Sequence, residues 1–204
     1  MQFEDFRYFV KREIFDYQLF ASFFCNLKKP GDKIATLVKQ GKVIRIRKGL
    51  YVFGDKWRRS LLDLGVIANL LYGPSCVSAE YALTRYGLLA ERAYTITMLT
   101  IGDNKVYETP LGNFEYRAID AEKFKIGIEY RDVGKEGYFI ASREKALADF
   151  VYQTPGILTH EQLHFFLFDE MRIDESMFRT FDFQLLKEIG KVYKKKSVQM
   201  LGEL

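Results

Sequence analysis

Between Lys28 and Phe53 the hydrophobic period changes from helical to extended across a single glycine, and this stretch constrains the fold more than any other. Ile34, Leu37 and Val38 recur at i, i+3 and i+4. Pro30 suits the first turn of that helix, where its missing N–H is not needed. Gly41 follows the last periodic residue and can take the left-handed conformation that ends a helix. Beyond it Val43, Arg45 and Arg47 alternate with Ile44 and Ile46, as side chains do along a strand. Lys48-Gly49 suits a two-residue turn, and Leu50–Phe53 suits the returning strand. The spacing predicts a helix over 30–40 running straight into a tight hairpin.

The same stretch is strongly basic. Residues 28–48 carry Lys28, Lys29, Lys33, Lys39, Lys42, Arg45, Arg47 and Lys48 against one acid, Asp32. Residues 1–60 hold 14 Lys and Arg against 6 Asp and Glu, a net +8, while residues 61–204 hold 17 against 21, a net −4. A basic end on an otherwise acidic chain gives a directed field. Such a patch gains sequence-independent affinity for phosphates by releasing counterions.

Upstream, Phe3, Phe6, Phe9, Val10 and Ile14 keep to one stripe, which predicts an amphipathic helix over 3–15. Asp16 suits the N-cap of a second helix, Tyr17 to Phe24, with Leu19, Phe20, Phe23 and Phe24 facing inward. Three helices followed by a β-hairpin are the parts of a winged helix-turn-helix, whose last helix enters the DNA major groove. Lys33, Thr36, Lys39 and Gln40 would point outward from that helix. Thr36 and Gln40 can bond to base edges, while Lys33 and Lys39 suit phosphates. With Lys29 at the helix start, Lys42 at its exit and Arg45, Arg47 and Lys48 on the wing, the candidate DNA-binding set is complete. Ile44, Ile46, Leu50 and Val52 read as core.

The expected fold class is α+β: a winged helix-turn-helix over residues 1–54, a break at Gly54-Asp55-Lys56, and a mixed α/β domain over 58–204 with a small sheet and C-terminal helices. In the second domain a helix is expected over Trp57–Tyr72, ended by Gly73-Pro74. Ser78 suits the cap of a helix to Tyr86, stopped by Gly87. Tyr94–Ile101 reads as a central strand and Val106–Ile119 as a hairpin turning at Leu111-Gly112-Asn113. Ile126–Tyr130 and Tyr138–Ala141 read as further strands. Ser142 caps a helix with Ala146, Leu147, Phe150 and Val151 inside and Glu144 and Lys145 on its solvated side. Asp149, beside Leu147 and Phe150, is a carboxylate near a core face and needs a partner. Helices over 159–171 and 174–193 close the chain, with Lys194-Lys195-Lys196 at a helix end where the dipole favours cations.

Hydrophobic residues make up 48% of the chain, enough for a substantial core. The longest apolar run, Leu61–Tyr72, is interrupted by Asp63 and Asn69 and too short to span a bilayer. The acid-bearing N-terminus lacks the apolar region of a signal peptide, which points to the cytoplasm. Cys25 and Cys76 stand far apart without metal-ligand spacing and read as buried thiols. No cofactor is expected.

Three islands together resemble a known family. LVKQGKVIRIRKGLYV resembles the recognition helix and wing of AbiEi-family antitoxins, also described as transcriptional regulators of viral defence systems. VSAEYALTRYGL (77–88) and ASREKALADFVY (141–152) resemble two further helices of that family. The resemblance implies the antitoxin of a type IV toxin–antitoxin system. Its winged helix would bind inverted repeats in its own promoter, two copies on two half-sites. Its C-terminal domain would counter a nucleotidyltransferase-like toxin encoded next door. The helices after Phe165 match no part of that pattern.

Two other readings compete. His160-Glu161-Gln162-Leu163-His164 spells H-E-x-x-H, the zinc-peptidase pattern, in which two histidines at i, i+4 share a helix face. Against a metal-dependent hydrolase, Thr159 and Gln162 form a capping box that puts His160 at the first helical position. These are also the only histidines, so Glu170, Glu175 or Glu188 would have to complete the site. There is no Walker A, GxGxxG or GxSxG, and Asp103, Glu115 and Lys125 have no nuclease-like spacing. The expectation is therefore a protein that is not an enzyme. The third reading is an interaction module whose basic face meets an acidic protein.

Overall fold

The computed structural model describes residues 2–90 and 93–204. Its first helix, α1 (Phe3–Phe9), is shorter than the one expected over 3–15. Arg7 accounts for the difference. Its Nη1 donates to the Val10 carbonyl at 2.9 Å, its Nε to the Trp57 carbonyl at 2.6 Å, and its Nη2 to both oxygens of Glu13 at 2.8 Å. With Glu13 fixed in this buried pair the chain runs on extended, and Ile14–Asp16 forms strand β1 instead of a last helical turn. Glu13 also accepts from the Arg59 N–H at 3.2 Å and the Ser60 hydroxyl at 3.3 Å. One carboxylate thus ties the start of the chain to the segment that leaves its first core.

Asp16 caps α2 (Tyr17–Phe23) by accepting from the Leu19 N–H at 2.7 Å. Phe20 and Phe24 are buried beneath it, whereas Leu19 is exposed. Phe6 sits at the middle of this core, with the rings of Phe15, Phe20, Phe23, Phe24 and Phe53 at centroid distances of 5.1 to 5.9 Å. The period switch falls where the sequence puts it. Helix α3 covers Pro30–Lys39, strand β2 Val43–Arg47 and strand β3 Leu50–Phe53. Gly41, at φ +68°, lets its own N–H reach the Val38 carbonyl and the Lys42 N–H reach the Leu37 carbonyl, both at 3.0 Å. This is a Schellman ending.

The three strands form an antiparallel sheet in the order β1-β3-β2. β3 is buried on both faces. Phe15, Val43, Tyr51 and Phe53 belong to the aromatic core, while Ile14, Ile46, Leu50 and Val52 belong to the larger apolar cluster that runs on to Leu201. Arg45 pairs with Tyr51 and Arg47 with Leu50, which leaves Ile46 as the extra residue of a bulge.

The second half is built on a six-stranded mixed sheet in the order β6-β7-β5-β4-β9-β8. After a turn of 3-10 helix at Asp55–Trp57, the helix expected from Trp57 starts only at Leu64: α4 is Leu64–Leu71, capped by Asp63 through the Gly65 N–H. Glu13 holds Arg59 and Ser60 in an irregular segment, and Leu61 beside them is 98% exposed. Then come β4 (Ser75–Val77), α5 (Ala79–Arg85), β5 (Thr95–Thr100), β6 (Lys105–Thr109) and β7 (Gly112–Ala118). Thr109 pairs with Gly112, so the hairpin turns at Pro110-Leu111, one residue before the place expected. α6 (Ala121–Lys125), β8 (Ile128–Asp132), β9 (Gly137–Ala141) and α7 (Arg143–Gln153) follow.

The last third is more broken than its periodicity suggests. α8 (His160–His164) widens into a π-helical turn over Phe165–Glu170. The helix expected over 174–193 is two, α9 (Glu175–Phe178) and α10 (Phe183–Tyr193). Asp182 caps the second through the Leu185 N–H, and its own N–H donates to buried Glu144 at 3.0 Å. Lys194 is left-handed at φ +53° and Lys195 donates to the Tyr152 and Thr154 carbonyls. The lysine run therefore folds back on the end of α7 instead of decorating a free helix end. α11 (Lys196–Gln199) and a short 3-10 turn complete the chain. The architecture is α+β, and none of the described helices is long and apolar enough to cross a membrane.

Glu13→Ala removes one partner of a buried, bidentate pair and is expected to cost about 3–5 kcal/mol, read as a lower urea midpoint. Cys76 is buried, and burial pushes its thiol up to about 12, whereas Cys25 is exposed, contrary to the reading of both as buried. A colorimetric thiol reagent at pH 8 should count one thiol in the native protein and two in denaturant.

Candidate nucleic-acid interface

Helix α3 stands on Ile34 and Leu37, which are buried, and turns Thr36, Lys39 and Gln40 to solvent. Exposed Lys29 stands at its N-cap and exposed Asp32 in its first turn. The Lys33 ammonium itself lies 4.7 Å from the Phe24 ring centroid, a cation–π contact on a half-buried side chain. The Thr36 hydroxyl donates to the Asp32 carbonyl at 2.9 Å, so toward a ligand it offers lone pairs rather than its proton.

The helix and the hairpin meet in one groove of about 360 Å³, lined by Tyr17, Gly31, Ile34, Ala35, Val38, Lys39, Arg45 and Tyr51. Lys39 from α3 and Arg45 from β2 reach it from opposite sides. Lys48 sits exposed in the hairpin turn. Three residues of this surface have no charge or period to mark them in the sequence: Tyr17, Ala35 and Tyr51. They lie there because Asp16 starts α2 where it does and β3 pairs with β2 in this register.

Two members of the set are already engaged. Lys42 pairs with Glu4 at 3.4 Å and lies 5.4 Å from the Phe3 ring and 5.0 Å from the Trp57 ring. It is turned toward α1. Arg47 donates to the Leu70 carbonyl at the end of α4, at 3.4 Å. The structure thus brings Lys39 and Arg45 together, leaves Lys29, Thr36, Gln40 and Lys48 on the exposed surface around them, and ties Lys42 and Arg47 to other elements.

A second constellation, buried, lies in the other half. Lys145 and Asp149, one turn apart on α7, are both fully buried and paired at 3.2 Å. Lys145 is therefore not on a solvated side, and nor is Glu144. The Lys145 ammonium also donates to the Lys123 carbonyl and to the Tyr193 hydroxyl, both at 2.8 Å. Asp149 accepts from the Ser78 hydroxyl at 2.6 Å and from the Tyr193 hydroxyl. Ser78 precedes α5 but gives its hydroxyl to Asp149 and makes no side-chain cap. Ser142 does cap α7, through the Lys145 N–H at 3.2 Å. Burial raises the Asp149 carboxyl above its ordinary range, against the pull of Lys145. The network joins α5, α6, α7 and α10 and is closed to solvent, so it holds the second half together.

In the HEQLH segment Thr159 and Gln162 make the capping box, and His160 occupies the first helical position. The His160 Nε2 lies 3.0 Å from the Glu203 carboxylate, and the His164 ring meets Phe168 edge-on at 4.7 Å. Among the described residues no three His, Cys, Asp or Glu side chains converge where one metal ion could be held. No protein-family model matches this chain, and no curated protein matches it either.

Lys145→Met strands a buried carboxylate and should cost about 3–5 kcal/mol in urea unfolding. Adding Asp149→Leu should recover a large part of that loss, because the unpaired charge rather than the missing pair causes it.

Proposed function

We propose that the chain is a DNA-binding regulator whose residues 1–54 act as a winged helix-turn-helix. Helix α3 would lie in the major groove, with Thr36 and Gln40 toward base edges and Ala35 free to meet a thymine methyl. Lys29, Lys33, Lys39, Arg45 and Lys48 would take phosphates on either side. The observation that carries this reading is the groove in which Lys39 and Arg45, from two different elements, face the same solvent-open space beside an unobstructed helix face. Two copies would sit on the two half-sites of a repeat. In keeping with the resemblance to AbiEi-family antitoxins, residues 58–204 would serve partner binding, with a nucleotidyltransferase-like toxin as the partner, and would do no chemistry of their own.

Fluorescence anisotropy on the DNA upstream of its own reading frame, against a scrambled duplex and over a salt series, tests the reading. The native chain should prefer the upstream DNA with a steep salt slope. Lys39→Glu with Arg45→Glu should weaken binding at least tenfold and flatten the slope by about 2, one for each phosphate no longer neutralised. Lys42→Ala should change little, since its ammonium is held by Glu4. Equal affinity of the double variant and the native chain for the upstream duplex would sink the assignment.

A further inference from the structure

We propose that the cleft where the two halves of the chain meet binds a nucleoside polyphosphate. Two adjoining hollows make up the cleft. The first, about 500 Å³, is mostly apolar and is walled by Val66, Leu70, Phe124, Tyr130 and Phe139. The second, about 620 Å³, is polar, with Lys11, Arg12, Arg59, Arg85 and Lys135 around it. Arg12, Lys135 and Glu136 line both, so the hollows run into each other at those residues. Each falls within the range that suits a small ligand.

The apolar hollow is shaped by aromatic rings left in the open. Tyr130 and Phe139 face each other across β8 and β9 with centroids 5.6 Å apart, and they are 62% and 51% exposed. The rings meet edge-on at 68°, so an exposed face of one ring at the mouth of the hollow is open to stack on a heterocycle. Asn69 lines the same hollow. Its Oδ1 accepts from the Phe139 N–H at 2.7 Å, which ties the end of α4 to β9 at the aromatic wall, while its Nδ2 is closed off from solvent.

The polar hollow has cations to spare. Two of its acids are taken, Glu13 by Arg7 and Asp63 by Arg85, each at 2.8 Å. Glu136 is the third acid of the hollow, with burial raising its carboxyl against the pull of Arg12, and it offsets one of the five cations. Among the described residues the side chains of Arg12, Arg59 and Lys135 make no ion pair and no hydrogen bond. Free guanidinium and ammonium groups spread round one space match several phosphate groups better than one carboxylate. An aromatic-walled apolar hollow joined to a polycationic one describes a base and a phosphate chain. The site shares no residue with α3 or the wing, so it does not rest on the DNA reading.

Isothermal titration of the full chain with ATP and GTP, and separately with adenosine and inorganic tripolyphosphate, tests this. At least one nucleoside triphosphate should bind 1:1 and at least tenfold more tightly than tripolyphosphate. Arg12→Ala with Lys135→Ala should weaken it at least tenfold. Phe139→Ala should weaken the nucleotide and leave tripolyphosphate unchanged. All three side chains are exposed, so the variants retain the core, which circular dichroism checks. Lys39→Ala with Arg45→Ala should have no effect. Absence of saturable binding overturns the proposal. So does tripolyphosphate equal to both nucleotides, which means an anion patch only, and so does loss of binding in the Lys39 and Arg45 variant, which means a site on α3.

Discussion

The burial of β3 on both faces is the constraint on which the rest of the structure depends. A strand in a small sheet usually shows one face to water, but here Tyr51 and Phe53 close the aromatic core while Leu50 and Val52 enter the core of the second half. The first half therefore cannot expose its sheet, and its position against the rest is set by side chains that neither core can release cheaply. Glu13 and Arg47 reinforce the same junction with polar contacts, one to Arg59 and Ser60, the other to the end of α4.

What the sequence makes legible follows from how local each determinant is. Residues 30–53 can be read because cap, period and turn all act within a few positions, and they agree with one another. Asp149 can be marked as needing a partner because a carboxylate between Leu147 and Phe150 has no local solution. Its actual partners come from several elements, and only Lys145 is near in sequence. The departures have the opposite character. Helix α1 stops at Phe9 because of an arginine that reaches Glu13 and Trp57, and the helix expected at Trp57 is delayed by the same glutamate. Lys145 has the look of a solvated residue until Tyr193 and the Lys123 carbonyl are folded around it.

The candidate interface shows the same division. Charge and period pick out Lys39 and Arg45, but whether a cation is free depends on distant neighbours. Lys42 is held by Glu4 and two rings, and Arg47 by a carbonyl of another helix. Tyr17 and Tyr51 line the groove only because of strand register and helix start, which no single residue declares. Positive residues in a run are thus not equivalent, and the fold sorts them into those that hold it and those that remain available.

The approach of Gly54 to Gly41 bears on how such a surface could change over time. A Cβ on Gly54 would stand 2.0 Å from the Gly41 carbonyl oxygen, and the Gly54 N–H donates to the Lys42 carbonyl at 2.9 Å. The exit of α3 and the end of β3 are clasped backbone to backbone, so the angle between helix and hairpin owes nothing to the outward side chains. Those side chains can drift freely under selection without disturbing the frame that presents them. Thr36, Gln40 and Ala35 are in this sense interchangeable type set in a fixed forme, and new recognition could be acquired there at little risk to folding.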